Sequence, residues 1–158
     1  MTFTLEPVDD FLCGRRIACL ATEEPDGSAY LTAVWFLYED GVVYVGTSGS
    51  SRKARNAAVR PRASVMVDAR GPGPQRGVAA SGPVTLLRGA PARAMNDRIL
   101  ARYLTPAGVA APDVGQVIAA SDDVTIRIEV GKWRTWSTAE DFDGRLEASG
   151  MTLPLEND

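Results

Sequence analysis

The chain has 158 residues, 45% hydrophobic and 23% charged, a balance that suits one folded domain with a real core and excludes a disordered chain. Its net charge of −3 excludes a general nucleic-acid binder, which needs clustered excess positive charge, and no apolar run is long enough to span a bilayer. Histidine is absent, which excludes Ser-His-Asp and Cys-His hydrolases, most zinc sites and a His-ligated haem. No metal is therefore expected, and the chemistry falls to a bound cofactor. Met1–Asp10 carries two Asp where a signal peptide would carry Lys or Arg, so the expected location is cytoplasmic. In that reducing compartment Cys13 and Cys19 read as inert thiols. The basic residues are 15 Arg and 2 Lys, the bias of a GC-rich coding genome.

In chain order, Pro7–Leu12 predicts a short helix with Gly14 just beyond it. Strands follow at Ile17–Thr22 and Ala29–Tyr38, joined by a Pro25-Asp26-Gly27 turn. Both faces of Ala29–Tyr38 are mostly apolar, so both are expected to be covered. Glu39-Asp40-Gly41 is a hairpin turn into a strand at Val42–Thr47. Ser50–Val59 predicts a helix stopped by Pro61, and Ala63–Asp68 a strand. The Gly-Pro-Gly-Pro run at 71–74 is a loop, and Gly82-Pro83 inside Val78–Leu87 suggests a bulge or an edge. Pro91–Leu104 and Asp113–Ala120 are helical, and Val124–Val130 alternates as a half-buried strand. Six short strands with a few peripheral helices predict a mainly β fold, a closed or nearly closed antiparallel barrel. The domain is expected over 1–137, with 138–158 as its polar tail of loose order.

Thr47-Ser48-Gly49-Ser50-Ser51-Arg52-Lys53 has the chemistry of an anion site. A helix start points free N–H groups at the preceding loop, serines add short donors, and Arg52 and Lys53 add charge. A plain N-cap with a solvated basic face accounts for the same residues. Asn56, three residues beyond Lys53, either braces the loop or touches a ligand.

Leu31–Leu37, Gly41–Ser48, Ser51–Asn56 and Arg60–Val67, in that order, carry a strand, a hairpin, a second strand, a Lys-xx-Asn helix and Pro-Arg-Ala-Ser. This series resembles the pyridoxamine 5'-phosphate oxidase-like split barrels, closest to their flavin and deazaflavin oxidoreductase branch. The resemblance implies a six-stranded antiparallel split β-barrel, a homodimer, and two cofactor grooves between subunits. The cofactor's phosphate would lie at Thr47, Ser48, Ser51, Arg52 and Lys53, with Asn56 nearby. Thr32, Val34 and Trp35 correspond to the strand alongside the ring, where a core or dimer-interface role competes. Gln75 and Arg76 are implied to reach the cofactor from the other subunit, although relatives carry an aromatic near there. Trp133 and Trp136 match a Trp/Arg-rich segment after the last strand, either a substrate-pocket wall or an aromatic clasp across the dimer.

The implied activity is hydride transfer from F420 or FMN to an unsaturated organic substrate. The Arg-rich composition and the Lys-xx-Asn helix favour F420. The alternative is a non-catalytic flavin or deazaflavin carrier. The expected partners are a second copy and a small molecule, with no nucleic acid and no membrane.

Overall fold

A computed structural model describes residues 5–69, 75–119, 122–137 and 149–150. Period-two alternation of apolar residues makes the sheet, because it sends every second side chain to one face. The strands are β1 (Ala18–Glu23), β2 (Ala29–Val34), β3 (Leu37–Glu39), β4 (Val42–Ser48), β5 (Arg62–Ala69), β6 (Arg76–Arg88), β7 (Asp123–Glu129) and β8 (Lys132–Ser137). They pair antiparallel in the order β2-β1-β5-β6-β7-β4-β3, with β8 also on β6, as a curled sheet with helices around it. The inward residues Leu20, Phe36, Val45, Ile126 and Ile128 are fully buried at its centre. The helices are α1 (Leu5–Cys13), α2 (Arg52–Val59), α3 (Gly89–Tyr103), α4 (Pro106–Val109) and α5 (Pro112–Ala119). None of the described helices is long and apolar enough to cross a membrane.

Local chemistry accounts for the connections. Asp40 and Gly41 both adopt positive φ, 49° and 78°, the two-residue turn that matches strand twist between β3 and β4. Ser51 caps α2 by accepting from the Ala54 N–H at 3.2 Å. Tyr38 ties α1 to the sheet by donating to Asp9 at 2.5 Å, and burial together with that carboxylate pushes its phenol up to about 12, so it stays a donor.

The expected strand Ala29–Tyr38 is two strands. The ladder to β1 ends at Val34 and the ladder to β4 starts at Leu37, because the chain passes there from one half of the sheet to the other. Gly82-Pro83 is at no edge. It marks the point where β6, paired with β5 through Pro83, hands over to β7 from Val84. The handover brings Glu129 O within 1.7 Å of where a Cβ at Gly82 would sit, so only glycine allows this crossing. Lys132–Ser137 follows no last strand; it is itself a strand, with Lys132 and Arg134 exposed and Trp133 and Thr135 half-buried. The Gly-Pro run at 71–74 and nearly all of the tail lie outside the described residues.

Candidate functional site

The β4–α2 junction is the first half of the site. Thr47 donates to Ser51 Oγ at 2.9 Å, and Ser48 and Ser50 share a hydrogen bond of 2.9 Å, so the hydroxyls brace the loop. The amides of Arg52 and Lys53, the first two helical residues, have no acceptor within the helix. The two cations part company here. Arg52 turns to Glu24, with Nε 2.7 Å from Oε1 and Nη2 2.8 Å from Oε2, and holds that carboxyl below the usual range. Asn56 is buried and donates to Thr22 Oγ1 at 3.3 Å and Glu24 Oε1 at 3.2 Å, which makes it a brace. Lys53 forms no ion pair among the described residues.

Lys53 instead lines a cavity of about 390 Å³ between this junction, the end of β2, helix α3 and helix α5. Ala33, Val34 and Trp35 form one wall, and Ile99, Leu100, Val117 and Ile118 the facing apolar side. Thr47, Ser48, Asn96, Asp97 and Asp123 supply polar groups. The arrangement is amphipathic: a slot with an apolar side and a polar part made by Thr47, Ser48, Lys53, Asn96, Asp97 and Asp123. That donor set fits a flat ring carrying an anionic tail, which describes a flavin or deazaflavin phosphate.

The wall at Trp35 is held from behind. Its indole stacks on Tyr103, centroids 5.0 Å apart and planes 3° from parallel. The Tyr103 hydroxyl lies 2.7 Å from Arg16 O, 3.3 Å from Phe36 N and 3.2 Å from Phe36 O. It thus bridges the gap that the broken strand leaves at Trp35–Phe36. On the floor, Gly46 lets Asn96 approach, since a Cβ there would sit 2.8 Å from Asn96 Oδ1. Asn96 donates to Asp123 Oδ1 at 2.9 Å and accepts from Thr125 Oγ1 at 2.8 Å.

Of the residues singled out in the sequence, the cavity brings together Val34, Trp35, Thr47, Ser48 and Lys53. Thr32 lies next to that wall on β2, its Oγ1 buried with no hydrogen-bond partner. Ser51, Arg52 and Asn56 stand at the junction but are committed to the fold. Gln75 and Arg76 lie elsewhere: Gln75 is exposed ahead of β6, and Arg76 sits over the Phe11 ring at 5.4 Å. Trp133 meets Tyr38 edge-on at 5.7 Å, and Trp136 covers Gly77, so neither lines the cavity. Sequence reasoning missed the half made by Asn96, Asp97, Asp123 and α5. The available signal was the Asn96-Asp97 pair inside an otherwise apolar helix stripe.

Known proteins share this architecture. A solved conserved hypothetical protein of Mycobacterium tuberculosis matches with TM-score 0.71 and 25% identity, covering 100% of this chain and 93% of that one. A solved F420 reductase matches with TM-score 0.62 and 24% identity over 80% of this chain and 94% of that one. The heme storage protein HutZ of Vibrio cholerae matches with TM-score 0.64 and 17% identity over 85% and 94%. At such identities the last two likenesses establish the fold alone. No curated protein matches the chain. The pyridoxamine 5'-phosphate oxidase family description matches residues 5–137, most of the chain, so the protein belongs to that family, as a split barrel.

Proposed function

We propose that the protein is an oxidoreductase that binds a flavin-type cofactor, F420 in preference to FMN, in this cavity and reduces an unsaturated organic substrate. The observation that carries the reading is Lys53, without an ion pair among the described residues, beside the hydroxyls of Thr47 and Ser48 in a slot with an apolar side. The Arg-rich composition and the Lys-xx-Asn helix support F420. The bound cofactor would supply the hydride. The chain's part is to hold the phosphate at Lys53 and the α2 amides, to keep the ring against Trp35, and to exclude water with Ile99, Leu100, Val117 and Ile118. Thr32 adds a hydroxyl still without a partner.

The working unit in this proposal is a cytoplasmic homodimer. Leu31 and Ile17, 61% and 50% exposed in one copy, flank the Trp35 wall and are covered by the second copy. Light scattering at micromolar concentration is expected to give a dimer; a monomer would remove the second copy from the site.

Fluorescence titration with F420 and with FMN tests the cofactor. Lys53→Gln is expected to weaken binding about tenfold to a hundredfold, the loss of one charge-assisted contact of about 1.5–3 kcal/mol. Unchanged affinity would place the phosphate elsewhere. A carrier, the alternative reading, binds the cofactor but shows no turnover in a reductase assay.

A further inference from the structure

Most of the described ion pairs match one arginine to one carboxylate: Arg52 to Glu24, Arg60 to Glu23, Arg93 to Asp123, Arg98 to Glu39 and Arg127 to Glu129. Arg16, Arg76 and Arg102 have no such partner among the described residues, and yet they gather in one place. Arg16 precedes β1, Arg76 opens β6, and Arg102 stands in the last turn of α3. The Arg16 and Arg76 guanidiniums lie 4.1 Å and 5.4 Å from the centre of one ring, Phe11. Arg102 lies 5.7 Å from the rings of both Phe36 and Tyr103. Burial, then Arg76 and Arg102 in turn, lowers the pKa of Arg16.

The end of α1 offsets only part of this charge. Arg102 Nη2 donates to the carbonyls of Leu12, Cys13 and Gly14 at 3.2, 2.9 and 2.5 Å, and Arg16 Nη1 donates to Phe11 O. A helix C-terminus is worth about half an elementary negative charge, against three full positive ones. Those bonds also engage a single nitrogen of each guanidinium, whereas each carries five donors. Arg102 Nε is buried with no hydrogen-bond partner, and the Arg76 side chain makes no hydrogen bond among the described residues. A buried N–H of a charged group is costly to leave unmade, and a planar fork of donors matches the two oxygens of a carboxylate or a phosphate.

We propose that Arg16, Arg76 and Arg102 form an oxyanion site, outside the cavity lining, for the carboxylate or phosphate group of a small molecule. The site is joined to the cavity by one side chain. Tyr103 stacks on the cavity wall at Trp35 and donates its hydroxyl to the Arg16 carbonyl. An anion that draws Arg16 and Arg102 inward therefore tightens the support of that wall.

Citrate and inorganic phosphate, added to the full chain at constant ionic strength, are the carboxylate and phosphate probes. Melting temperature and the arginine Nε–H resonances are the readouts. The expected result is a saturable rise in melting temperature with a shift of the Arg102 Nε–H signal, and the tighter probe identifies the oxyanion. Arg76→Gln is expected to weaken the response about tenfold while leaving the anion-free protein as stable as before. Lys53→Gln is expected to leave it intact, which separates this site from the cavity. No saturable response to either probe, a response indifferent to Arg76→Gln, or one abolished by Lys53→Gln would each overturn the proposal.

Discussion

Two of the helices beside the cavity, α2 and α3, each commit a buried asparagine to the same kind of contact, with different surroundings. Asn56 of α2 reaches Thr22 and Glu24, and Asn96 of α3 reaches Thr125 and Asp123. In both places an arginine of the same helix holds the carboxylate, Arg52 for Glu24 and Arg93 for Asp123. Glu24 has both oxygens in hydrogen bonds and lies outside the cavity lining. Asp123 lies on the cavity wall, its Oδ1 held by Asn96 and its buried Oδ2 2.5 Å from Arg93 Nε. One clasp stands apart from the cavity; the other forms part of its wall. An asparagine, an arginine and a carboxylate thus recur in two places, one beside the cavity and one away from it. The difference is set by which strand end they grip.

Three changes sharpen or break this contrast. Asn96→Ala is expected to have the largest effect. It leaves the fully buried Thr125 hydroxyl only the longer 3.3 Å bond to Ala92 O and removes the donor to Asp123 Oδ1, about 1–3 kcal/mol for a buried group left short of a partner. Melting should show a loss of about 2–4 kcal/mol, accompanied by altered cofactor affinity. Asn56→Ala should cost less, about 1–2 kcal/mol, since Arg52 still holds Glu24, and cofactor affinity should stay unchanged once folding is accounted for. Equal shifts in cofactor affinity for the two variants would erase the distinction. The smallest effect is expected from Glu24→Gln at acid pH. Hydrogen bonds from Arg52 lower the Glu24 carboxyl in the folded state, so its contribution is complete above the ordinary value of 4.5 and fades as pH falls through the lowered one. Acid melting curves of the Gln variant should lack this part of the decline; an identical decline would assign it to other carboxylates.

How much of this was legible in the sequence depended on range. The Asp40-Gly41 turn, a helix start in the serine run near Ser50 and the alternation of Val124–Val130 were readable because their causes lie within a few residues. Lys53 was readable for the same reason, as part of a local strand–helix junction. Arg52 was not: its partner Glu24 sits on another strand, and nothing near Arg52 in sequence predicts that it turns away from the junction. The α3 and α5 half of the cavity was hidden likewise, since only tertiary packing brings Asn96 against Gly46 and Asp123. In the sequence Trp133 and Trp136 read as a pocket wall or a clasp across the dimer, and their contacts within one copy were not legible there. Their positions on β8 place one indole against Tyr38 and the other over Gly77.

Strand β6 carries a consequence for the order of folding. It pairs with β5 and β8 through its first part and with β7 through its last, so both halves of the sheet hang on one stretch of backbone. Its partner β5 is the preceding strand, while β7 arrives only after α3, α4 and α5 have been passed. Closing that long excursion costs chain entropy before any β7 contact is made, so the β5–β6 ladder forms early and the β6–β7 ladder late. Neither half can then peel away while β6 stays intact, and the barrel opens as a unit rather than sheet by sheet.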